Sequence, residues 1–499
     1  AIKSAIMICF FQSDNQRVIA VDTLVKQSQD NISKLIWLFG KASLVKSNTV
    51  KGYFVGPRRE MITPWSTNAV EITQNMGIEG IVRIEEFFAV ASKDAEYDPM
   101  LQNLYKNLDQ NVFTVDRKPE PLKYIDDLEA YNVQEGLALS PEEMAYLKGI
   151  AEKIGRKLTD SEVYGFAQVN SEHCRHKIFN GTFVINGKKM ENSLFALIKR
   201  TSKENPNRLV SAYKDNVAFV LGPKVEQFAP TAPNKPSCFE IKDIDTIISL
   251  KAETHNFPTT VEPFNGAATG SGGEIRDRLA GGQGSLPLAG TAVYMTSYPR
   301  TEEGRAWEKD SEPRPWLYQT PEEILIKASN GASDFGNKFG QPLINGSLLT
   351  FEHQEEQSLG YDKVIMLAGG IGFAKKEDAK KLEPEEGDII VVLGGDNYRI
   401  GMGGGAVSSV DTGQYSNAIE LNAVQRANPE MQKRVSNVIR SMAESDANPI
   451  RSIHDHGAGG HLNCLSELIE DAGGVVYVDN LPVGDPTLSD KEIIGNESQ

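Results

Sequence analysis

Glycine is spread unevenly along this chain, and that unevenness constrains its fold more than any other feature. Of the 44 glycines among 499 residues, 22 fall in four windows: eight in 266–290, three in 369–372, six in 394–405 and five in 457–474. A residue without a Cβ permits left-handed turns and close approach of the backbone to a neighbour or a ligand. Apolar segments of strand or helix period run between the windows. At roughly 100–200 residues per domain, the length predicts about three domains with ample material for buried cores.

Charge narrows the partners. With 52 Lys+Arg against 68 Asp+Glu, the formal net charge is −16. That argues against a broad nucleic-acid or anionic-membrane surface, either of which needs a basic footprint. No stretch approaches 18 uncharged apolar residues, so no membrane span is expected. The apolar start, Ile6 to Phe11, is too short for a signal-peptide core and reads as a first strand. Cys9, Cys174, Cys238 and Cys464 are scattered without a CxxC. They make no disulfide framework, and a reducing cytoplasm is the expected compartment. The chain begins on Ala1 and stops on Asn496-Glu497-Ser498-Gln499 without a closing helix or polar tail, which suggests part of something longer.

Residues 1 to about 135 read as mixed strands and helices. Ser140-Pro141-Glu142-Glu143 then announces a helix, with Ser as N-cap, Pro at the first helical position and a Glu completing a capping box. Met144, Leu147, Ala151 and Ile154 supply its buried stripe. A second helical segment begins near Asp160, and this stretch reads as a linker. From about 186 the pattern changes to strands broken by glycine turns. Residues 245–253, 291–296, 364–368 and 389–393 are strand-like, while 321–329, 429–444 and 461–472 carry helical patterns. Strands in several orders with interposed helices predict an α+β or mixed α/β architecture.

The strand from Thr246 to His255 is the most informative segment. Side chains alternate faces along a strand, so Ile248, Leu250 and Ala252 share one face and Lys251, Glu253 and His255 the other. A cation, a carboxylate and an imidazole in line suit a phosphate, a hard metal ion and a proton transfer. The plainer alternative is the solvated face of an edge strand. Next comes Gly266-Ala267-Ala268-Thr269-Gly270-Ser271-Gly272-Gly273-Glu274-Ile275-Arg276-Asp277. It reads as a glycine-rich loop whose N–H groups close around anionic oxygens, with Arg276 for phosphate and Asp277 for Mg²⁺. It is not a P-loop, because no Gly-Lys-Ser/Thr follows; a flexible loop is the alternative.

His454-Asp455-His456-Gly457-Ala458-Gly459-Gly460 leads into a helix and reads as an anion site with Asp455 available to a metal ion; the rival is Asp455 as a plain N-cap. Gly401 to Ala406 matches the weak GxGxxA dinucleotide pattern but does not follow its strand directly. His173, Cys174 and His176 lack the fourth ligand of a zinc site and the context of an activated thiol. His353 and His461 are expected at the surface or as caps. Asp334-Phe335-Gly336 spells a kinase triplet without the other kinase signatures. Together these residues point to Mg²⁺-nucleotide chemistry by a route other than the P-loop.

Six segments occur in one order: NSEHCRHKIFN (Asn170–Asn180), KAETHNFP (Lys251–Pro258), GAATGSGGEIRD (Gly266–Asp277), AVQRANPEM (Ala423–Met431), HDHGAGG (His454–Gly460) and NESQ (Asn496–Gln499). The set resembles the large, single-chain form of phosphoribosylformylglycinamidine synthase from purine biosynthesis. The resemblance covers essentially the whole chain. It implies an α+β fold: a PurS-like N-terminal domain over 1–135, a helical linker over 136–185, and PurM-like synthetase domains over 186–375 and 376–499, the last incomplete. The implied reaction converts formylglycinamide ribonucleotide to the amidine with ATP, Mg²⁺ and glutamine-derived ammonia, through an iminophosphate.

By the same resemblance His173 is catalytic and His255 a proton acceptor. His176 and Lys251 approach ATP, as do residues 266–277 and Gly346, Ser347 and Leu348. Glu253, Asp277 and Asp455 hold Mg²⁺. Thr254, Asn256, Arg276, Gln425, Glu497, Ser498 and Gln499 line the substrate site. The implied partners are the substrate, a second synthetase half and a glutaminase domain, without nucleic acid or membrane; the isolated chain is expected to be inactive. Two departures stand out. His255-Asn256-Phe257-Pro258 replaces the HNHP of many relatives, and Glu262-Pro263-Phe264 the more usual DPY. The competing readings are a nucleotide-stabilised structural half of that enzyme, or another ATP-using member of the PurM-like superfamily.

Overall fold

The computed structural model describes residues 7–13, 16–301, 306, 314, 317–403 and 423–497. Its contacts divide the chain into two compact units, Ala1–Glu120 with Pro482–Leu488, and Pro121–Leu481 with Ser489–Gln499.

In the first unit, β1 (Met7–Gln12), β2 (Arg17–Thr23), β3 (Ser43–Leu44), β4 (Val50–Pro57), β5 (Ile81–Val90) and β6 (Gln102–Leu108) form an antiparallel sheet in the order β3-β1-β2-β5-β4-β6. The apolar start is thus a strand. Alternation sends Phe11, Ile19, Val21 and Ile84 to one face, under α1 (Gln29–Leu38) and α2 (Pro64–Asn75). Phe10, Ala20, Phe87 and Tyr105 form a second cluster on the other face. One ion pair is buried here: Arg83 Nε lies 3.1 Å from Glu85 Oε1. Glu85 also accepts from the N–H and hydroxyl of Thr63, the N-cap of α2. Burial raises the Glu85 pKa and Arg83 pulls it back. Such a pair persists only where its remaining hydrogen-bonding capacity is used.

The second unit opens with α3 (Leu128–Glu135), α4 (Pro141–Ile154) and α5 (Asp160–Val169), packed around Leu147, Val163, Tyr164 and Ala167. The expected capping box of Ser140 with Glu143 forms, and a second one, Thr159 with Glu162, opens α5. Within the expected stripe Leu147 is buried, whereas Ile154 at the helix end is 45% exposed. Helix α3, placed in the first domain by the sequence, packs with these linker helices. Short helices α6 (Glu172–Arg175) and α7 (Lys177–Asn180), a hairpin of β7 (Val184–Ile185) and β8 (Lys188–Lys189), and α8 (Leu194–Glu204) follow.

The main sheet comprises β9 (Leu209–Ser211), β10 (Ala218–Pro230), β11 (Phe239–Thr254), β12 (Leu286–Thr296), β13 (Leu343–Thr350) and, after the small ladder β14 (Glu352–His353) and β15 (Leu359–Gly360), β16 (Ile365–Lys375). Its order is β13-β12-β16-β11-β10-β9; β12 and β13 are parallel and the other pairs antiparallel. Helices α9 (Asn256–Val261), α10 (Pro263–Leu279) and α11 (Pro321–Phe339) pack on one face through Ala267, Ile324, Ala328, Met366 and Ala368. Last come α12 (Pro429–Ala443), α13 (Gly460–Leu468) and α14 (Asp490–Gly495).

Two expectations are corrected. The segment 266–277 is not a loop but the body of α10. A Cβ on Gly266 would stand 2.4 Å from the Pro258 and Thr259 backbone, and one on Gly272 would stand 2.8 Å from the Phe335 ring. These glycines let a helix lie against its neighbours. Residues 389–393 form no strand. A ladder needs a partner, and none pairs with them among the described residues; Ile389 is 86% and Val391 67% exposed. Helix α11 in turn continues past the expected 329, because Gly331 fits against the Phe264 backbone.

Candidate functional site

Strand β11 lies inside the sheet, between β16 and β10, so the edge-strand alternative fails. Its alternation is as expected, but the faces carry opposite burdens. Leu250 and Ala252 are exposed, whereas Lys251 and Glu253 are half-buried on the face that α10 covers. There Lys251 Nζ lies 2.7 Å from Asp277 Oδ2 and 3.0 Å from Glu253 Oε2. Asp277 comes from the last turns of α10, so one helix–strand contact assembles the trio. Burial opposes the Lys251 charge, but Asp277 and Glu253 outweigh it and its pKa rises. Asp277 is pushed well above the usual carboxylate range by burial first and then by Asp455, with Lys251 opposing.

The two histidines join this cluster. His255 Nδ1 is 2.6 Å from the Gly266 carbonyl oxygen. A carbonyl only accepts, so Nδ1 carries the proton and Nε2 a free lone pair. Burial pushes the His255 pKa down to about 4, with Glu253 opposing. His173 stands on the open side, accessible to solvent. It is still hemmed closely enough for desolvation to lower its pKa, with Glu253 opposing and His176 and Lys251 assisting.

Asp455 enters from the segment before α13. That helix is capped by Gly459, in the left-handed region at φ 82°, so the N-cap alternative for Asp455 fails. Arg276 Nε lies 3.8 Å from Asp455 Oδ2. Glu497 accepts from the Gly459 N–H at 2.9 Å and from the Gln425 side chain. The HDHGAGG turn, the glutamine window and the closing motif are thereby tied together. His461, expected at the surface, is buried and meets His456, Nδ1 to Nε2 at 2.7 Å. Beside Arg276 and Asp455 opens a cavity of about 620 Å³ with walls including Met431, Val435, Ile453 and Leu465.

Sequence reasoning missed Asn216. Its Nδ2 donates to Asp277 Oδ1 at 3.1 Å and to Asp455 Oδ1 at 2.7 Å, bridging carboxylates distant in sequence. No pattern around Lys214-Asp215-Asn216 signalled this; only the fold does. Asp277 and Asp455 suit Mg²⁺, a hard cation usually held by one or two carboxylates plus phosphates. Glu253 does not complete a triad: Lys251 stands between it and Asp277, and no three His, Cys, Asp or Glu side chains converge as a metal cage among the described residues.

Comparison with known proteins bears on this arrangement. Residues 17–117 match the formylglycinamide ribonucleotide amidotransferase N-terminal model, residues 128–177 the linker-domain model of the same enzyme, and residues 385–499 the C-terminal domain of AIR synthase related protein. Two of these three segments are therefore similar to domains of formylglycinamide ribonucleotide amidotransferase. Among solved structures, Thermotoga maritima PurL complexed with FGAR is 25% identical, with a TM-score of 0.47, over 71% of this chain and 46% of that one. Phosphoribosylformylglycinamidine synthase II from the same organism is 23% identical, with a TM-score of 0.45, over 71% and 45%. The chain thus spans less than half the length of these relatives.

Several residues singled out by the family resemblance lie away from the cluster. The N–H groups of residues 267–277 serve helix α10, so they form no phosphate cradle; Arg276 and Asp277 remain available through their side chains. Gly346, Ser347 and Leu348 sit on the edge strand β13, with β12 and β16 between them and β11. Thr254 turns to the face opposite Lys251 and Glu253. The Asn256 Oδ1 is taken by the Met366 N–H at 3.0 Å. His176 is exposed and packs T-shaped with Phe195, near enough to His173 to act on its charge but not among the buried side chains of the cluster. Ser498, Gln499 and the 404–406 part of the weak dinucleotide pattern lie outside the described residues. Burial pushes the Cys174 thiol up to about 11, which suits an inert cysteine. No helix among the described residues is long and apolar enough to cross a membrane.

Proposed function

We infer that this chain carries ATP-dependent synthetase chemistry on formylglycinamide ribonucleotide, yielding the amidine with glutamine-derived ammonia. The observation that carries this reading is the meeting of Lys251, Glu253 and His255 with Asp277, Asp455 and His173 at one place. An amide oxygen leaves poorly. ATP would transfer its γ-phosphoryl group to that oxygen, giving ADP and an iminophosphate. Ammonia would then attack the carbon, and the C–O bond would break as inorganic phosphate departs.

Such chemistry asks a protein mainly for positioning and charge neutralisation. Lys251 and Arg276 supply fixed cations for phosphate oxygens. Mg²⁺ held by Asp277 and Asp455 would add charge neutralisation when bound. His255, neutral with a free Nε2, suits a proton taken from the attacking nitrogen. His173, on the accessible side, suits the developing charge of the intermediate. The cavity beside Arg276 and Asp455 falls in the size range of small-molecule sites. Ammonia supply and the rest of the composite site would come from a glutaminase domain and a second synthetase half.

The test uses the full-length enzyme. His173→Ala should abolish ATP- and ammonium-dependent amidine formation while glutaminase turnover persists. Unchanged synthetase turnover removes His173 from the mechanism. The 499 residues alone should bind nucleotide but not turn over with ammonium salts.

A further inference from the structure

Asp277 and Asp455 divide their oxygens in the same way. The Oδ2 of Asp277 faces the Lys251 ammonium at 2.7 Å, and the Oδ2 of Asp455 faces the Arg276 guanidinium at 3.8 Å. The Oδ1 of each turns instead to a single atom, Asn216 Nδ2. Each carboxylate thus gives one oxygen to a protein cation, and the two remaining oxygens converge on one point. In this structure a neutral amide hydrogen-bonds to both at that point.

The amide is held from below. The Asp215 side chain accepts from the Gly282 N–H at 2.8 Å and from the Asn216 N–H at 2.8 Å, and it pairs with Lys381. The backbone of residue 216 is therefore fixed while its terminal amide can turn. A half-turn of that amide exchanges –NH₂ for the carbonyl oxygen, which is a hard ligand of the class that takes Mg²⁺.

We propose that the point bridged by Asn216 is the divalent-cation position, and that Asn216 supplies its third protein oxygen by turning its amide. The inference rests on the reading above that Asp277 and Asp455 hold the metal ion. Without the cation, the –NH₂ group separates two carboxylates that repel each other. With the cation in place, the same side chain becomes a ligand. The site is then preorganised in both states, and Lys251 and Arg276 keep the outer oxygens turned away from the metal.

The experiment is Mn²⁺ binding to the purified chain, followed by the loss of the free Mn²⁺ paramagnetic resonance signal, with Mg²⁺ as competitor. Circular dichroism and thermal melting check that each variant is folded. Asn216→Ala is expected to weaken Mn²⁺ binding at least tenfold. Asn216→Asp restores an oxygen and is expected to bind at least as tightly as the parent, with a larger rise in melting temperature on adding metal. Asp277→Asn is expected to abolish binding. If Asn216→Ala binds like the parent while Asp277→Asn does not, Asn216 is no ligand and the two-aspartate reading stands. If Asp277→Asn also binds like the parent, or the parent binds no Mn²⁺, both readings are overturned.

Discussion

The Lys251 ammonium sits 2.7 Å from the Asp277 carboxylate, although 26 positions separate the two residues in sequence. Strand β11 and helix α10 each bring one partner, and neither ion is stable in this environment by itself. Asp277 is surrounded by Asp455 and Glu253 as well as by protein, so its ionised form depends on the lysine. The same contact that assembles the candidate site therefore also holds the helix on the sheet.

Lys251→Met keeps most of the side-chain volume and removes the charge. With the Lys251 and Asp277 side chains only 18% and 11% exposed, about 3–5 kcal/mol of stability should be lost, the order found when one partner of a buried pair is removed. The loss should be larger at pH 8 than at pH 5, because Asp277 freed of its lysine takes up a proton at lower pH and ceases to be an unpaired charge. Urea denaturation at the two pH values checks this. An equal loss at both would mean that Asp277 is not the group relieved.

Gly266 and Gly273 belong to one glycine-rich segment but should respond oppositely to alanine. A Cβ at Gly266 meets backbone at 2.4 Å, and overpacking of that kind costs about 1–3 kcal/mol or more. A Cβ at Gly273 finds its nearest neighbours at 3.5 and 3.9 Å, in the flexible side chains of Arg276 and Glu253. There alanine gains up to ~1 kcal/mol of helix propensity. Thermal melting should show Gly266→Ala below the parent and Gly273→Ala level with it or above. The reverse order would contradict the helical packing of this segment.

How far the sequence reached can be read from these same residues. The alternation of β11, the cap at Ser140, the helix from Asp160 and the helix after Gly460 depend on neighbours within a few positions, and local pattern exposes them. The segment 266–277 misled because glycine disfavours an isolated helix, while here close packing against Pro258, Met366 and Phe335 overrides propensity. Residues 389–393 misled in the opposite direction, since an apolar run specifies a strand only where another strand meets it. Asn216 carried no local signal; its role comes from a contact with Asp455, 239 positions away.

Glu497 should give the fold an unusual pH response. Burial raises its pKa to about 7, with Gln425, the Gly459 N–H and Arg276 opposing, against about 4.3 in an unfolded chain. Between those values the folded state binds more protons than the unfolded state. The contribution of this group is therefore fully present below about pH 4.3 and is lost as pH rises through about 7. Glu497→Gln keeps an acceptor and cannot titrate. The parent-minus-variant stability difference should fall by on the order of 2–3 kcal/mol from pH 4.5 to pH 8. A flat difference would place the Glu497 pKa in the ordinary carboxylate range.

His255 makes the last prediction, one that needs no turnover. Its Nδ1–H donates to the Gly266 carbonyl, and that bond fixes the tautomer. Long-range ¹H–¹⁵N correlation spectra should show Nδ1 as the protonated, pyrrole-like nitrogen and Nε2 as the unprotonated one from pH 8 down to about 5. Protonation should begin only near the pKa of about 4. His353, for comparison, lies outside the cluster, on the short strand β14. Glu253→Gln removes the charge that opposes desolvation and should lower the His255 midpoint further. The Nε2–H tautomer in the parent would leave His255 without the free lone pair that a proton acceptor at this position requires, and a midpoint near 6.5 would mean that burial does not depress its pKa.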